Sequence, residues 1–380
     1  MKLYLEIGPL REREFTGIPQ VTASIAEQML GDGDNEPLFF FGRQLIGNRE
    51  VECILKRRDG EMLPWYARRA NTPMVPLDPL EKSVGIFPNV KTTRGSFAYE
   101  AQIFHDLSAI LTPQFHNEDT IRYHAYTARQ DLLTNDLTVC VSDATRADVL
   151  RYLSPPRPER VVTIHPGHAW PEAIERAHRD AMASPRFDGA ETEPYVLVLG
   201  TIEPRKNIGV VLDFIGKSKS ILEDMRFVFV GRRGWGEQFE SYLAKHDVLD
   251  AYERKKILFT GYVSEQAKYS LMKEAKMLVY PSLFEGFGLP VLEAMSLGTP
   301  VLTTRSSSIP EVGGDACYYF DPFSSGDFAQ QFWRAMLELR NARADSSERA
   351  IAKSRSFQWA TFYERLCGAL AQIVREPTGK

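Results

Sequence analysis

Short apolar runs alternate with amphipathic stretches along most of this chain. Lys2 to Ile7 is an apolar run closed by Gly8 and Pro9, and it reads as a buried strand. Val21 to Leu30 repeats its apolar residues at helical spacing and stops before Gly31. Leu38 to Phe41 reads as a second strand. Ala101 to Asp106 reads as a third, with His105 and Asp106 at its C-terminal tip, the end at which open α/β sheets bind ligands. Thr120 to Leu133 predicts a helix, Leu137 to Val141 a strand, and Ser142 the N-cap of a further helix. Val161 to Ile164 is another strand, and from Pro166 to Pro194 the periodicity fades into a partly helical connection.

The second half has the clearer rhythm. Strands are expected at Tyr195–Leu199, Phe227–Val230, Ile257–Thr260, Met277–Tyr280, Val301–Thr303 and Cys317–Phe320. Helical patterns around 207–220, 236–245, 264–274, 290–297 and 324–341 separate most of them. Strands alternating with helices predict an α/β fold of parallel, doubly wound sheets. The expected division is a first Rossmann-like domain over 1–170, a linker over 171–189 and a second Rossmann-like domain over 190–356. The last helical pattern, Trp359 to Val374 within 357–380, is expected to return to the first domain.

Composition narrows the class. A chain of 380 residues suits two cores better than one. With 43% hydrophobic and 25% charged residues it has the profile of a soluble globular protein. A net charge of −4 offers no global attraction to nucleic acid. No apolar run approaches the ~20 residues that span a bilayer. Glu6 interrupts the first apolar run, which therefore reads as a strand and not a signal peptide. Cys53, Cys140, Cys317 and Cys367 are far apart and form no metal spacing, as expected of a reduced, cytoplasmic chain. Between 43 and 73, Arg49, Lys56, Arg57, Arg58, Arg68 and Arg69 surround Leu63, Trp65 and Tyr66. That stretch is either a solvated loop and helix or a patch for an anionic membrane surface or a lipid-linked acceptor.

The candidate chemistry gathers at strand ends of the second half, above all in Tyr280 to Leu297. Gly286 and Gly288 let backbone N–H groups approach a ligand closely, and Pro290 sits where a helix begins. A helix N-terminus beside such a loop is an anion site. Glu285 and Glu293 would repel a phosphate, and they make sense if the ligand also offers hydroxyls, as a nucleotide sugar does. Gly200 to Asn207 brings Arg205 and Lys206, a fork and a point charge suited to a departing diphosphate. Val230 to Gly236 is rich in glycine, Gly231 among them, but lacks the dinucleotide spacing. Thr260-Gly261-Tyr262-Val263 could bring backbone groups to a base, and Ser306 to Gly314 is a polar loop or turn. Asp32-Gly33-Asp34 has a metal-binding form but reads as a plain turn. His165-Pro166-Gly167-His168 likewise reads as a turn and not a zinc site, since no further ligand set accompanies it.

Taken together, these clusters resemble the retaining glycosyltransferases of family 4, whose GT-B architecture sets two Rossmann-like domains face to face. The most specific part is Glu285-Gly286-Phe287-Gly288-Leu289-Pro290-Val291-Leu292-Glu293, similar to the family's Glu-x7-Glu element. Gly17, His105 and Thr260 to Val263 support it. The resemblance implies that Glu285 contacts the donor sugar and Glu293 the ribose. It implies that backbone from Gly286 through Phe287, Gly288 and Leu289 holds the diphosphate with Gly17, that Gly231, Gly261 and Tyr262 line the donor site, and that His105 sits near the transferred sugar. It also implies catalysis by His105, Arg205, Lys206 and Glu285 without a metal, with an acceptor-binding first domain and a donor-binding second. One departure stands out: Thr201 occupies the position where the family commonly has arginine, and Arg205 is expected to supply that cation. Glu203-Pro204-Arg205-Lys206-Asn207 is similar to bacterial mannosyltransferases of surface-polysaccharide assembly, which points to GDP-mannose as donor. The expected partners are the nucleotide sugar and a glycan or polyprenyl-linked acceptor, with a peripheral contact at the inner membrane face and no nucleic acid. A nucleotide-sugar epimerase of the same architecture and a catalytically silent binding subunit are the alternatives.

Overall fold

The computed structural model describes residues 2–12, 15, 17–33, 35–57, 60–69, 83–183 and 193–376. Asp34, Arg58, the side chain of Arg69 and residues 70–73 therefore lie outside the described part of the two stretches in which they were noted. Among the described residues the fold divides into two units. One comprises Met1–Pro113, Glu118–Gly167 and Phe357–Lys380; the other comprises Gln114–Asn117 and His168–Ser356.

The first unit is built on seven strands: β1 (Lys2–Glu6), β2 (Pro37–Phe41), β3 (Gln44–Ile46), β4 (Ser83–Phe87), β5 (Tyr99–Phe104), β6 (Leu137–Cys140) and β7 (Val161–Thr163). Their order is β3-β2-β1-β4-β5-β6-β7, parallel except for the short β2–β3 hairpin. The strand expected at Ala101–Asp106 begins two residues earlier and ends at Phe104, so His105 and Asp106 follow it. Neither β4 nor β3 was expected. Gly85 lets the Phe97 ring lie against β4, where a Cβ would meet Phe97 Cδ2 at 2.3 Å. Tyr4, Phe40, Phe87 and Phe97 form the aromatic cluster that results. The helix Trp359–Arg375 packs in this unit, where the Tyr363 hydroxyl donates to Asp32 Oδ2 at 2.8 Å. Asn35 donates to the same oxygen at 3.0 Å, so Asp32 serves a turn and a helix contact.

Glu6 ends β1 in a buried position, with Oε1 accepting the Gly8 N–H at 3.0 Å. Burial pushes its carboxyl up from 4.5 to about 7, against the opposing pull of the Gly8 bond. Between those values the unfolded chain has lost the proton that the folded chain retains, so this group lowers stability as pH rises through that window. Glu6→Gln is therefore expected to match the parent below pH 4.5. Above pH 7 the variant should gain up to about 3 kcal/mol. Urea unfolding at pH 5 and pH 8 checks this; a variant no more stable at the higher pH would contradict it.

The second unit carries β8 (Tyr195–Leu199), β9 (Arg226–Val230), β10 (Ile257–Phe259), β11 (Met277–Tyr280), β12 (Val301–Thr304) and β13 (Tyr318–Phe320). All are parallel, in the order β10-β9-β8-β11-β12-β13. Val196, Val198, Phe227, Phe229, Met277 and Val279 face a core closed by the helices Ile208–Lys217 and Ser325–Ser354, the second of which breaks at Ala342 (φ −143°, ψ 44°). Residues 172–183, inside the stretch expected as a linker, form a helix held to this unit by a 3.0 Å hydrogen bond between His178 and Ser270. Strand order reverses between β8 and β11, and a crevice beside the carboxyl ends of the strands at such a switch point is where open α/β sheets bind ligands. Among the described residues no helix is long and apolar enough to cross a membrane.

Candidate active site

β8 and β11 are hydrogen-bonded neighbours, with Val198 opposite Val279, so the segments that follow them emerge side by side. After β8 the turn Pro204–Lys206 carries Arg205 and Lys206. After β11 come Ser282 and Glu285. Lys206 Nζ lies 2.5 Å from Glu285 Oε1 and donates to the Tyr280 hydroxyl at 2.8 Å. Ser282 Oγ donates to the same Glu285 oxygen. Arg205 Nη1 stands 3.3 Å from Glu285 Oε1 and donates to Phe284 O at 2.7 Å, while Nη2 donates to Glu203 Oε1 at 2.8 Å.

The electrostatics follow from this packing. Burial alone would raise the Glu285 carboxyl, but Lys206 and Arg205 outweigh it and hold the group at about 2. Burial lowers the Lys206 ammonium from its ordinary value, with Glu285 opposing that shift. Burial also pushes the Tyr280 hydroxyl well up, so it remains a neutral phenol beside the pair. The result is a largely dehydrated ion pair, whose lysine side chain is 13% exposed, at the carboxyl end of the sheet.

Gly288 caps the helix Leu289–Ser296 at φ +102°, and a Cβ there would meet Ile309 Cδ1 at 2.7 Å. The left-handed backbone is what favours glycine here. Pro290 falls in the first turn, where its missing N–H costs nothing. The Glu285 carbonyl accepts from Ser307 Oγ at 2.6 Å and Ser308 Oγ at 2.9 Å, which ties the loop to the stretch noted as polar in the sequence. Farther along this helix, Glu293 pairs with Lys268 at 2.8 Å. Lys268 Nζ sits 5.1 Å above the Trp170 ring, and Trp170 Nε1 donates to Ser296 Oγ at 3.1 Å. Burial lowers the nearby His168 imidazole to about 4, so it is neutral at physiological pH.

Residues 183–353 match the family described as glycosyl transferases group 1. The O-antigen chain mannosyltransferase B of Escherichia coli is 31% identical over 258 residues, 67% of this chain and 66% of that protein. The chain belongs to the group 1 glycosyltransferases. The serotype-specific mannosyltransferase WbdA of Escherichia coli is 31% identical over 170 residues, 44% of this chain and 20% of that one. The chain thus spans 66% and 20% of the lengths of these two relatives. Among solved structures, Anabaena HepE in complex with UDP is similar with a TM-score of 0.65 at 17% identity, covering 98% of this chain and 100% of that one. WaaG, a glycosyltransferase involved in lipopolysaccharide biosynthesis, is similar with a TM-score of 0.63 at 16% identity, covering 96% and 98%. The fold is GT-B.

Within the group 1 glycosyltransferase domain, the structure brings Arg205, Lys206 and Glu285 together and leads from them through Gly286, Phe287, Gly288 and Leu289 to Glu293. Gly231 closes on the same edge: at φ +153°, a Cβ on it would come within 2.0 Å of Gly200 O. Its N–H donates to Gly261 O at 3.0 Å, which places Gly261 and the exposed Tyr262 after β10 on the neighbouring strand. Gly17 and His105 belong to the first unit. Gly17 is the N-cap of the helix Ile18–Gly31. His105 follows β5, with Nε2 2.7 Å from Pro88 O, and burial lowers its pKa. Five side chains that contact the expected site residues or their partners were not assigned a role from the sequence: Glu203, Lys268, Tyr280, Ser282 and Trp170. Tyr280 and Ser282 lay inside the singled-out stretch; nothing about Lys268 or Trp170 marks them apart from any helical lysine or core tryptophan.

Proposed function

We propose that this protein is a glycosyltransferase of polysaccharide biosynthesis. It moves a hexose from a nucleoside diphosphate sugar to a hydroxyl of a glycan or lipid-linked acceptor, with retention at the anomeric carbon. The observation that carries this is the dehydrated Lys206–Glu285 pair beside the glycine-capped start of the helix Leu289–Ser296. A diphosphate there meets an ammonium and a positive helix end, and the carboxylates of Glu285 and Glu293 accept from hydroxyls. The bond from the anomeric carbon to the diphosphate breaks, and the acceptor oxygen bonds to that carbon from the same face. The departing diphosphate takes the acceptor proton, and Lys206 stabilises the negative charge that grows on it. Names of the Escherichia coli relatives support mannose as the sugar, with GDP-mannose as the leading donor. Retention, the metal-free reaction and a role for His105 near the sugar rest on the family resemblance.

Incubation with GDP-mannose and the UDP- and dTDP-sugars, with and without glycan or lipid-linked acceptors, tests this. Acceptor-dependent release of a nucleoside diphosphate is expected, undiminished by a chelator, and NMR of the product reads its anomeric configuration. Conversion of the donor to another nucleotide sugar without acceptor would instead establish an epimerase, and nucleotide binding without sugar release or transfer over a broad acceptor panel would establish a silent subunit. Donor choice is read first by thermal shift, since a ligand at a hundred times its Kd adds about 2.7 kcal/mol. Presenting the acceptor in anionic vesicles also tests the peripheral membrane contact that Lys56, Arg57 and the exposed Trp65 suggest; no sedimentation at low salt rejects that contact.

A further inference from the structure

Glu203 is buried, with 4% of its surface exposed, and it is not one of the ligand-facing groups assigned above. It stands in extended backbone just before the turn Pro204–Lys206, and its carboxylate accepts from Arg205 Nη2. Arg205 in turn is fastened to the loop after β11 at two points. Its Nη1 donates to Phe284 O, and its own carbonyl accepts the Leu283 N–H at 2.9 Å. Contacts of 2.8, 3.3 and 2.5 Å thus link Glu203, Arg205, Glu285 and Lys206 into one cluster of two carboxylates and two cations, formally neutral.

This arrangement explains why Glu285 sits closer to Lys206, at 2.5 Å, than to Arg205, at 3.3 Å. A guanidinium with no other counter-ion would compete for the Glu285 carboxylate, and at these distances in a dehydrated site that attraction is strong. Glu203 supplies the counter-ion and orients the planar fork, so that Nη1 meets Phe284 O. We propose that Glu203 is a positioning residue for the donor site. It acts through Arg205, keeping the guanidinium fastened to the 282–285 loop and offsetting its charge, which leaves Glu285 to Lys206 and to the hydroxyls of the donor sugar. On this account Arg205 shapes the loop while Lys206 is the cation that meets the diphosphate. The inference rests on the proposed nucleoside diphosphate sugar donor.

Glu203→Gln tests it, because glutamine keeps the shape and one acceptor oxygen while removing the charge. The cluster then carries one net positive charge. GDP and inorganic pyrophosphate, measured by calorimetry, should bind about tenfold more tightly. At the same time kcat with the donor selected by thermal shift should fall about tenfold or more, as Arg205 draws Glu285 away from the sugar. Tighter anion binding with slower turnover is a split that simple loosening of the loop would not produce. Glu203→Asp, which restores the charge, should return pyrophosphate affinity to near the parental value. Parallel weakening of both ligands and of kcat in Glu203→Gln would overturn the inference, and so would no change in either. If the parent protein binds GDP, UDP and pyrophosphate not at all, the proposed function falls and this inference falls with it. If the parent binds them and the variant is indistinguishable, only the inference falls.

Discussion

Lys206→Met is expected to lower turnover by about 10²–10³, the typical loss when one preorganised group that stabilises transition-state charge is removed. Methionine keeps the stem that lies over the Tyr280 ring, where Nζ is 5.0 Å from the centroid, so the change removes charge more than volume. The loss should appear in kcat, because the charge on the diphosphate grows as the sugar bond breaks. A protonated Glu285 is the rival explanation. Lys206 and Arg205 together hold that carboxyl at about 2, and with Lys206 gone the Arg205 guanidinium still stands 3.3 Å away. Burial alone would raise that carboxyl, so a turnover loss that is the same at pH 7 and pH 8.5 is the result that excludes protonation. The same remaining counter-charge should keep the stability loss below the 3–5 kcal/mol seen, roughly, when a buried pair is broken outright. The measurement is kcat and KM on protein shown by circular dichroism and thermal melting to be folded. Turnover within a few-fold of the parent would remove Lys206 from the mechanism.

That pair was legible in the sequence because each half sits in a stretch with its own local signal. A strand ends in glycine before Arg205 and Lys206, and another ends before a two-glycine loop and a helix-starting proline. Their meeting was less legible. Lys206 and Glu285 are 79 residues apart, and only the adjacency of β8 and β11 at the reversal of strand order brings them together. Glu203 stood in the Glu-Pro-Arg-Lys-Asn stretch without a role of its own; its burial against Arg205 depends on how the turn Pro204–Lys206 lies on the loop after β11. The first half was harder to read for a similar reason. β4 is Ser-Val-Gly-Ile-Phe, and its glycine lowers strand propensity while making room for Phe97, which is distant in the pattern but adjacent in space. The helix over 172–183 lies in the stretch expected to be partly helical; its apolar stripe is made mostly of alanine, with Ile174 and Met182 the only large aliphatic residues, so its bounds stood out poorly.

Lys91→Met is expected to be the most destabilising charge removal in the first unit, at about 3–5 kcal/mol. The lysine side chain is 0% exposed and that of Glu100 2%, with Nζ donating to Glu100 Oε2 at 2.7 Å and to Thr134 Oγ1 at 2.9 Å. Glu100 Oε1 accepts the Ser96 N–H at 2.8 Å, and the Lys91 N–H reaches Asp131 Oδ2 at 3.1 Å. Asp131 also receives Arg94 Nε at 2.7 Å and Gln102 Nε2 at 2.8 Å. The pair therefore fixes the connection between β4 and β5, which crosses without a helix and has little apolar content of its own. Burial lowers the Lys91 ammonium from its ordinary value, while Glu100 acts against that shift. Removing the lysine leaves a dehydrated carboxylate whose remaining partners are neutral donors, and that residual charge is the main source of the cost. Two consequences separate this account from a simple packing defect. Glu100→Gln added to Lys91→Met should recover much of the loss, since glutamine can still accept from Ser96. The single variant should also lose less stability at pH 5 than at pH 8, because its unpaired Glu100 can fold protonated at the lower pH. Urea unfolding of the parent, the single and the double variant at both pH values decides it: a double variant no better than the single, at either pH, would assign the cost to lost packing and not to the orphaned charge.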